Sequence, residues 1–153
     1  MPQRFRPPRL AVRAILVEAE RLLLVNAWAG RTHLWCAPGG GVEPHSSLPD
    51  NLAREVREET GLPVRVGPPC LVNEFHDPEG DFHQVEVFFR CRLEGRAAPS
   101  DWRDPEGVVT HRRWVERAEA ERMAEDLALR PASLPAIAFG RGIAYDPLEP
   151  ILR

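Results

Sequence analysis

The stretch from Pro38 to Leu62, PGGGVEPHSSLPDNLAREVREETGL, constrains the fold more tightly than any other part of the chain. Three successive glycines let the backbone approach a ligand closely and expose its carbonyl and N–H groups. A punctuated helix follows. Ser47 with Asp50 three residues on is a capping-box arrangement, and Pro49 falls in the first turn, where a missing N–H costs little. Gly61 suits the left-handed residue that closes a helix, and Pro63 blocks continuation. These signals predict a helix over Leu48–Thr60.

At roughly 100° per residue, Leu48, Leu52 and Val56 form one apolar stripe. Glu55, Glu58 and Glu59 hug the edge of that stripe, whereas Asp50 and Arg57 point the opposite way. Carboxylates three or four residues apart repel, and partial burial sharpens the repulsion unless a cation is present. The cluster therefore reads as a divalent-cation site, and all-oxygen ligation suits Mg²⁺ or Mn²⁺. Arg54, one turn before Glu58, is placed to bond and orient a carboxylate of the cluster. The plain alternative is a solvated Glu/Arg surface helix, which leaves the acids flanking the stripe unexplained.

With its spacing, the stretch resembles the Nudix box, G-x5-E-x7-R-E-U-x-E-E-x-G-U with U a bulky apolar residue. Gly40 matches the first Gly, Arg54-Glu55-Val56 the REU, Glu58-Glu59 the paired acids, and Gly61-Leu62 the close. The pattern's first Glu falls on Ser46, and the Gly that usually precedes it falls on His45. The resemblance implies an α/β fold, an α/β/α sandwich around a mixed sheet, and metal ligation by Glu55, Glu58, Glu59 and the carbonyl of Gly39. It also implies catalytic roles for Glu55, Glu59 and Arg54 and a substrate cradle at Gly40 and Gly41.

The implied reaction is Mg²⁺-dependent hydrolysis of the diphosphate in a nucleoside diphosphate linked to a second moiety. Ser46 removes a negative charge near that site, and Glu43 is the nearest replacement. A relative that binds nucleotides with little turnover is the rival reading. Substrate identity stays open, and the resemblance leaves a homodimer open.

The remaining chain is read against this centre. A length of 153 residues fits one domain (1–153), with an irregular lead-in over 1–8 and a tail over 141–153. A formal charge of −3 argues against polymeric nucleic acid as a partner. Cys36, Cys70 and Cys91 are scattered, which suggests neither disulfides nor zinc and fits a reducing cytoplasm. No apolar run is long enough for a membrane span, and MPQRFRPPRL lacks a signal-peptide core.

Residues 10–17 and 21–28 read as a hairpin of strands buried on both faces, and Trp35 as packing under the glycines. Residues 64–75 read as a strand that prolines confine to an edge or break, 76–81 as a turn, and 82–93 as a long strand. Glu86, mid-strand, is a candidate to reach the substrate. Residues 94–110 form a patternless loop of the kind that often carries function, with Asp104 and Glu106 as candidate acids and Trp102 as a candidate stacking group. A strand over 111–115, a helix over 116–129 and a short helix within 131–140 complete the expectation. His33, His76 and His83 are more readily ordinary histidines than recognition groups, and the tail carries no clear pattern.

Overall fold

A computed structural model describes residues 5–95 and 102–151. The ends of the lead-in and tail and the centre of the long loop lie outside the described residues. The strands are β1 (Arg9–Glu18), β2 (Arg21–Asn26), β3 (Trp35–Cys36), β4 (Gly39–Gly41), β5 (Val64–Asp77), β6 (Phe82–Leu93), β7 (Arg112–Glu116) and β8 (Ala144–Pro150), and the helices are α1 (Leu48–Thr60), α2 (Arg117–Glu125) and α3 (Leu134–Ala138). Strand order is β3-β2-β1-β6-β5-β8, with β4 on β1 and β7 on β2. The sheet is mixed, since β1 runs parallel to β6 and β5 parallel to β8, while the other pairs are antiparallel.

Alternation along the strands explains the two cores. Val12, Ala14 and Leu16 of β1, with Leu23 of β2 and Phe89 and Cys91 of β6, pack against Leu52 and Val56 of α1. The intervening residues, Ile15, Leu22, Leu24 and Phe88, join Ala120 and Met123 of α2 and Leu134 and Ile137 of α3 on the other side. Helices on both faces of a mixed sheet make the expected α/β/α sandwich. Trp35 is a buried packing residue, in the second of these cores with α2 and α3.

Helix α1 begins and ends where its punctuation places it. Ser47 Oγ accepts the Asp50 N–H at 3.1 Å, and Gly61 takes a left-handed φ of 71° as its N–H closes on the Arg57 carbonyl. Leu52 and Val56 are fully buried, an arrangement contributing about 1.5–3 kcal/mol per side chain.

The triple glycine forms a short strand, and Gly39 faces Arg13 of β1. A Cβ at Gly39 would overlap the Val12 carbonyl, so only glycine permits this pairing. The proline-containing strand is continuous, with register shifts between Val66 and Leu71, and Pro68 and Pro69 precede the point where β8 begins to cover β5. The helix after β7 ends at Glu125 rather than 129. The patternless tail supplies β8, whose backbone completes β5 although its side chains are mostly exposed.

Candidate functional site

Pairing of β4 with β1 sets the glycines at a cavity of about 360 Å³, lined among others by Gly39, Gly40, Gly41, Glu43, Glu55 and Glu59. Arg9 and Arg13 line it from β1, and Glu106 from the loop before β7. Glu59 is buried, and one of its carboxylate oxygens accepts the Gly39 N–H at 3.0 Å. Burial pushes the Glu59 carboxyl up to about 8; Arg13 and the Gly39 N–H pull it back, while Glu55 and Asp104 push it further up. The Glu55 carboxyl is also raised, by burial first and then by Glu58 and Glu106, with Arg54 opposing. Two neighbouring carboxyls held above their ordinary range mark a place short of positive charge.

Arg54 organises the acids from the solvent side. Its guanidinium lies 3.2 Å from Glu55, 3.3 Å from Glu58 and 3.8 Å from Glu43, and donates to Asn51 Oδ1 at 3.1 Å. Asn51 is itself buried, accepting the Glu43 N–H and donating to the carbonyls of Glu43, Ser46 and Ser47. The turn before α1 is thus pinned to the helix by one amide. Sequence reading missed Asn51, because a lone Asn in a helix carries no pattern.

The other predicted residues divide. Glu58 does not line the cavity; it reaches Glu55 only through the shared Arg54. Asp104 is buried and spends its carboxylate on the N–H groups of Glu106, Val108 and Val109, which shapes the loop and leaves Glu106 as the acid facing the glycines. Trp102 donates its indole N–H to the Glu58 carbonyl at 3.0 Å and lines a second cleft with Asp104 and Arg112, which shares Glu59 with the glycine-strand cavity. Glu86 bonds Arg13 and accepts from Gln84, and it lines the neighbouring cavity that shares Arg9 and Arg13 with the glycine-strand one. His33 is exposed, His83 sits 3.0 Å from Glu74 with its ring tilted toward that of His76, and none of the three lines either cavity.

Arg9 and Arg13 are the functional candidates that sequence reading missed. Arg13 donates to the carbonyls of Ala37 at 3.2 Å and Gly39 at 3.4 Å as well as to Glu86, so it ties the glycine strand to the centre of the sheet. Among the described residues no three acidic, histidine or cysteine side chains form a closed metal cage. Even so, the donor set fits a hard divalent cation: carboxylates of Glu55 and Glu59 beside a backbone carbonyl, with proton affinity raised first by burial and then by neighbouring acids.

A family model described as NUDIX domain matches residues 7–135. The chain is 31% identical over 140 residues to Nucleoside diphosphate-linked moiety X motif 6 of Mus musculus, covering 92% of this chain and 42% of that protein. It is 29% identical over 91 residues to Diphosphoinositol polyphosphate phosphohydrolase 3-alpha of Mus musculus, covering 60% of this chain and 52% of that protein. The chain therefore spans about half or less of the length of these curated relatives. In structure it is similar to a NUDIX hydrolase from Nitrosomonas europaea (TM-score 0.68, 20% identity, 86% of each chain). It is also similar to the MutT protein from Methanosarcina mazei Go1 (TM-score 0.66, 23% identity, 87% of this chain and 91% of that one). Likeness at these identities concerns the fold. No helix among the described residues is long and apolar enough to cross a membrane.

Proposed function

The chain belongs to the Nudix family, and from that premise we propose that it hydrolyses the diphosphate linkage of a small nucleotide-type substrate with the help of Mg²⁺ or Mn²⁺. The single observation that carries this reading is the pair of Glu55 and Glu59 in one cavity with the glycine strand, both carboxyls held above their ordinary range.

Glu55, Glu59 and the Gly39 carbonyl would hold the cation, and Glu58 would join them when Arg54 yields it. Bound there, a divalent cation neutralises phosphate charge and makes a coordinated water more acidic. The protein supplies the rest. Gly40 and Gly41 leave room for a diphosphate to lie against the backbone, since a Cβ at Gly40 would come within 2.7 Å of Glu55. Arg9 and Arg13 present guanidinium groups to phosphate oxygens. Arg54 keeps Glu55 and Glu58 oriented. As water attacks phosphorus and the anhydride P–O bond breaks, one proton must leave the water, and Glu55 or Glu106 is placed to accept it. The products are two phosphate esters, or an ester and inorganic phosphate or pyrophosphate.

The test is a panel of ADP-ribose, sugar nucleotides, dinucleoside polyphosphates and nucleoside triphosphates, assayed with each metal and with chelator. Release of phosphate or mononucleotide that needs metal supports the proposal. Binding without turnover across the panel would instead favour a nucleotide-binding relative, the reading that Ser46 motivates.

A further inference from the structure

Beyond Arg13, where the glycine strand stops pairing with it, β1 runs on into another cavity, of about 550 Å³. Ile15, Val17, Arg65, Arg90, Arg92 and Ala138 are among the residues that line it. None of its lining residues belongs to the glycine-strand cavity, to the cavity lined by Glu86 or to the Trp102 cleft.

The charge of this cavity is one-sided. Arg90 and Arg92 lie two apart on β6 and so project to one face. Arg92 stands directly opposite Arg65 in the antiparallel register of β5 and β6, and like charges so placed destabilise a strand pair. Arg90 donates to the carbonyls of Ile137 at 2.8 Å and Gly142 at 3.0 Å, which fixes its guanidinium and leaves its charge uncompensated. Among the described residues no carboxylate lies within ion-pair distance of Arg65, Arg90 or Arg92, and no Asp or Glu lines the cavity. Glu18, the next residue of β1 after Val17, accepts the Leu93 N–H instead. In a chain of formal charge −3, three guanidinium groups sharing one cavity without an acid call for an anion from outside.

We propose that this cavity binds a phosphate or diphosphate group, clamped between Arg65 and Arg92 with Arg90 beside them, apart from the site where the diphosphate is hydrolysed. A tetrahedral dianion offers oxygens to three guanidinium groups, whereas a carboxylate has two oxygens and one charge. No lining carboxylate or imidazole is there to hold a divalent cation, so the group is bound rather than cleaved. The anion comes either free, as phosphate or pyrophosphate, or on an organic molecule whose body lies against Ile15, Val17 and Ala138.

The experiment is calorimetry on the full chain in chelator and about 150 mM salt, where weak surface attraction is screened. The probes are phosphate, pyrophosphate and hexyl phosphate. A saturable binding event should persist in Arg9→Gln, which alters the glycine-strand cavity, and weaken about tenfold or more in Arg65→Gln and in Arg92→Gln. Arg65→Glu should abolish it and, by setting opposite charges across the strand pair, raise the melting midpoint of the anion-free protein. Tighter binding of hexyl phosphate than of phosphate identifies an organic phosphate as the ligand, and the reverse identifies the free anion; both support the site. The idea is overturned if no probe saturates, or if Arg65→Gln and Arg92→Gln bind every probe as tightly as the wild type. It is equally overturned if Arg57→Gln, on the exposed face of α1, weakens binding as much as they do, since surface charge in general is then responsible. None of these outcomes depends on whether the chain hydrolyses a diphosphate.

Discussion

The carboxylate of Glu59 accepts the backbone N–H of Gly39 at 3.0 Å, across twenty residues of sequence, and so couples the last turn of α1 to the glycine strand. The same carboxylate is buried beside Glu55. Glu59→Gln keeps the shape and removes the charge. We expect kcat/KM to fall by about a hundredfold or more, while the metal-free protein melts no lower than the wild type above pH 8 because a repelled buried charge has gone. Phosphate-release kinetics and thermal melts in chelator check this together. A variant with full activity would remove Glu59 from the metal site.

The raised Glu59 carboxyl makes a second expectation about pH. In the unfolded chain the group releases its proton near the ordinary carboxyl value of 4.5, whereas in the fold it holds the proton to about 8. Across that window the unfolded state binds fewer protons, so the metal-free protein should lose stability as pH rises. Metal binding requires the deprotonated carboxylate and should recover the loss. Melting curves in chelator and in Mg²⁺ at about pH 5.5 and about pH 8.5 give the comparison. The Mg²⁺-induced rise in Tm should be larger at the higher pH. Equal rises at both would show that Glu59 does not sit against the ion.

How much of this was legible depends on where the information lies. Helix α1 was readable to its ends because Ser47, Pro49 and Gly61 act through local backbone chemistry that the sequence states outright. The acids were readable because their spacing on a helix is fixed. Arg9 and Arg13 were not, since they come to the site through the pairing of β1 with β4 and β6, which is a long-range fact. The choice between Asp104 and Glu106 depended on a turn: three backbone N–H groups claim Asp104, and no local rule foretells that. Strand β8 was invisible because AYDPLEP has weak alternation and two prolines, and it forms on the free edge that β5 offers.

Gly40 sets the clearance for Glu55. A Cβ there would stand 2.7 Å from Glu55 Oε2, so Gly40→Ala must displace the carboxylate from its place beside Glu59. Misplacement on that scale should reduce kcat/KM by about ten- to a hundredfold, with KM for metal rising as well. Steady-state kinetics at several Mg²⁺ concentrations measure both. An unchanged metal dependence would mean that the Glu55 position is not set by the glycine.

His45 occupies the place where the Nudix pattern has glycine, and it keeps the left-handed backbone that glycine would favour, with φ at 73°. A non-glycine residue there costs about 1–2 kcal/mol, and glycine returns part of that gain through its greater freedom when unfolded. His45→Gly should therefore stabilise the protein by about 0.5–1 kcal/mol. The check is a urea midpoint that moves up at constant slope. A lower midpoint would show that the imidazole makes a contribution larger than the backbone strain.

The adjacent departure, Ser46 for Glu, can be tested through Arg54. That guanidinium lies between Glu43, Glu55 and Glu58, at 3.8, 3.2 and 3.3 Å. Glu43 thus brings a negative charge to Arg54 from three residues before the position where the pattern has its own. Its side chain is 71% exposed, so the pair adds little to stability and its effect should appear in catalysis, as orientation of Arg54. Glu43→Gln should lower kcat/KM by about three- to tenfold with Tm unchanged. Adding Ser46→Glu in the Glu43→Gln background should restore most of the loss, because either carboxylate can orient Arg54 toward Glu55 and Glu58. If Ser46→Glu raises the rate equally with and without Glu43, the two positions act independently, and Glu43 is not the stand-in for the missing acid.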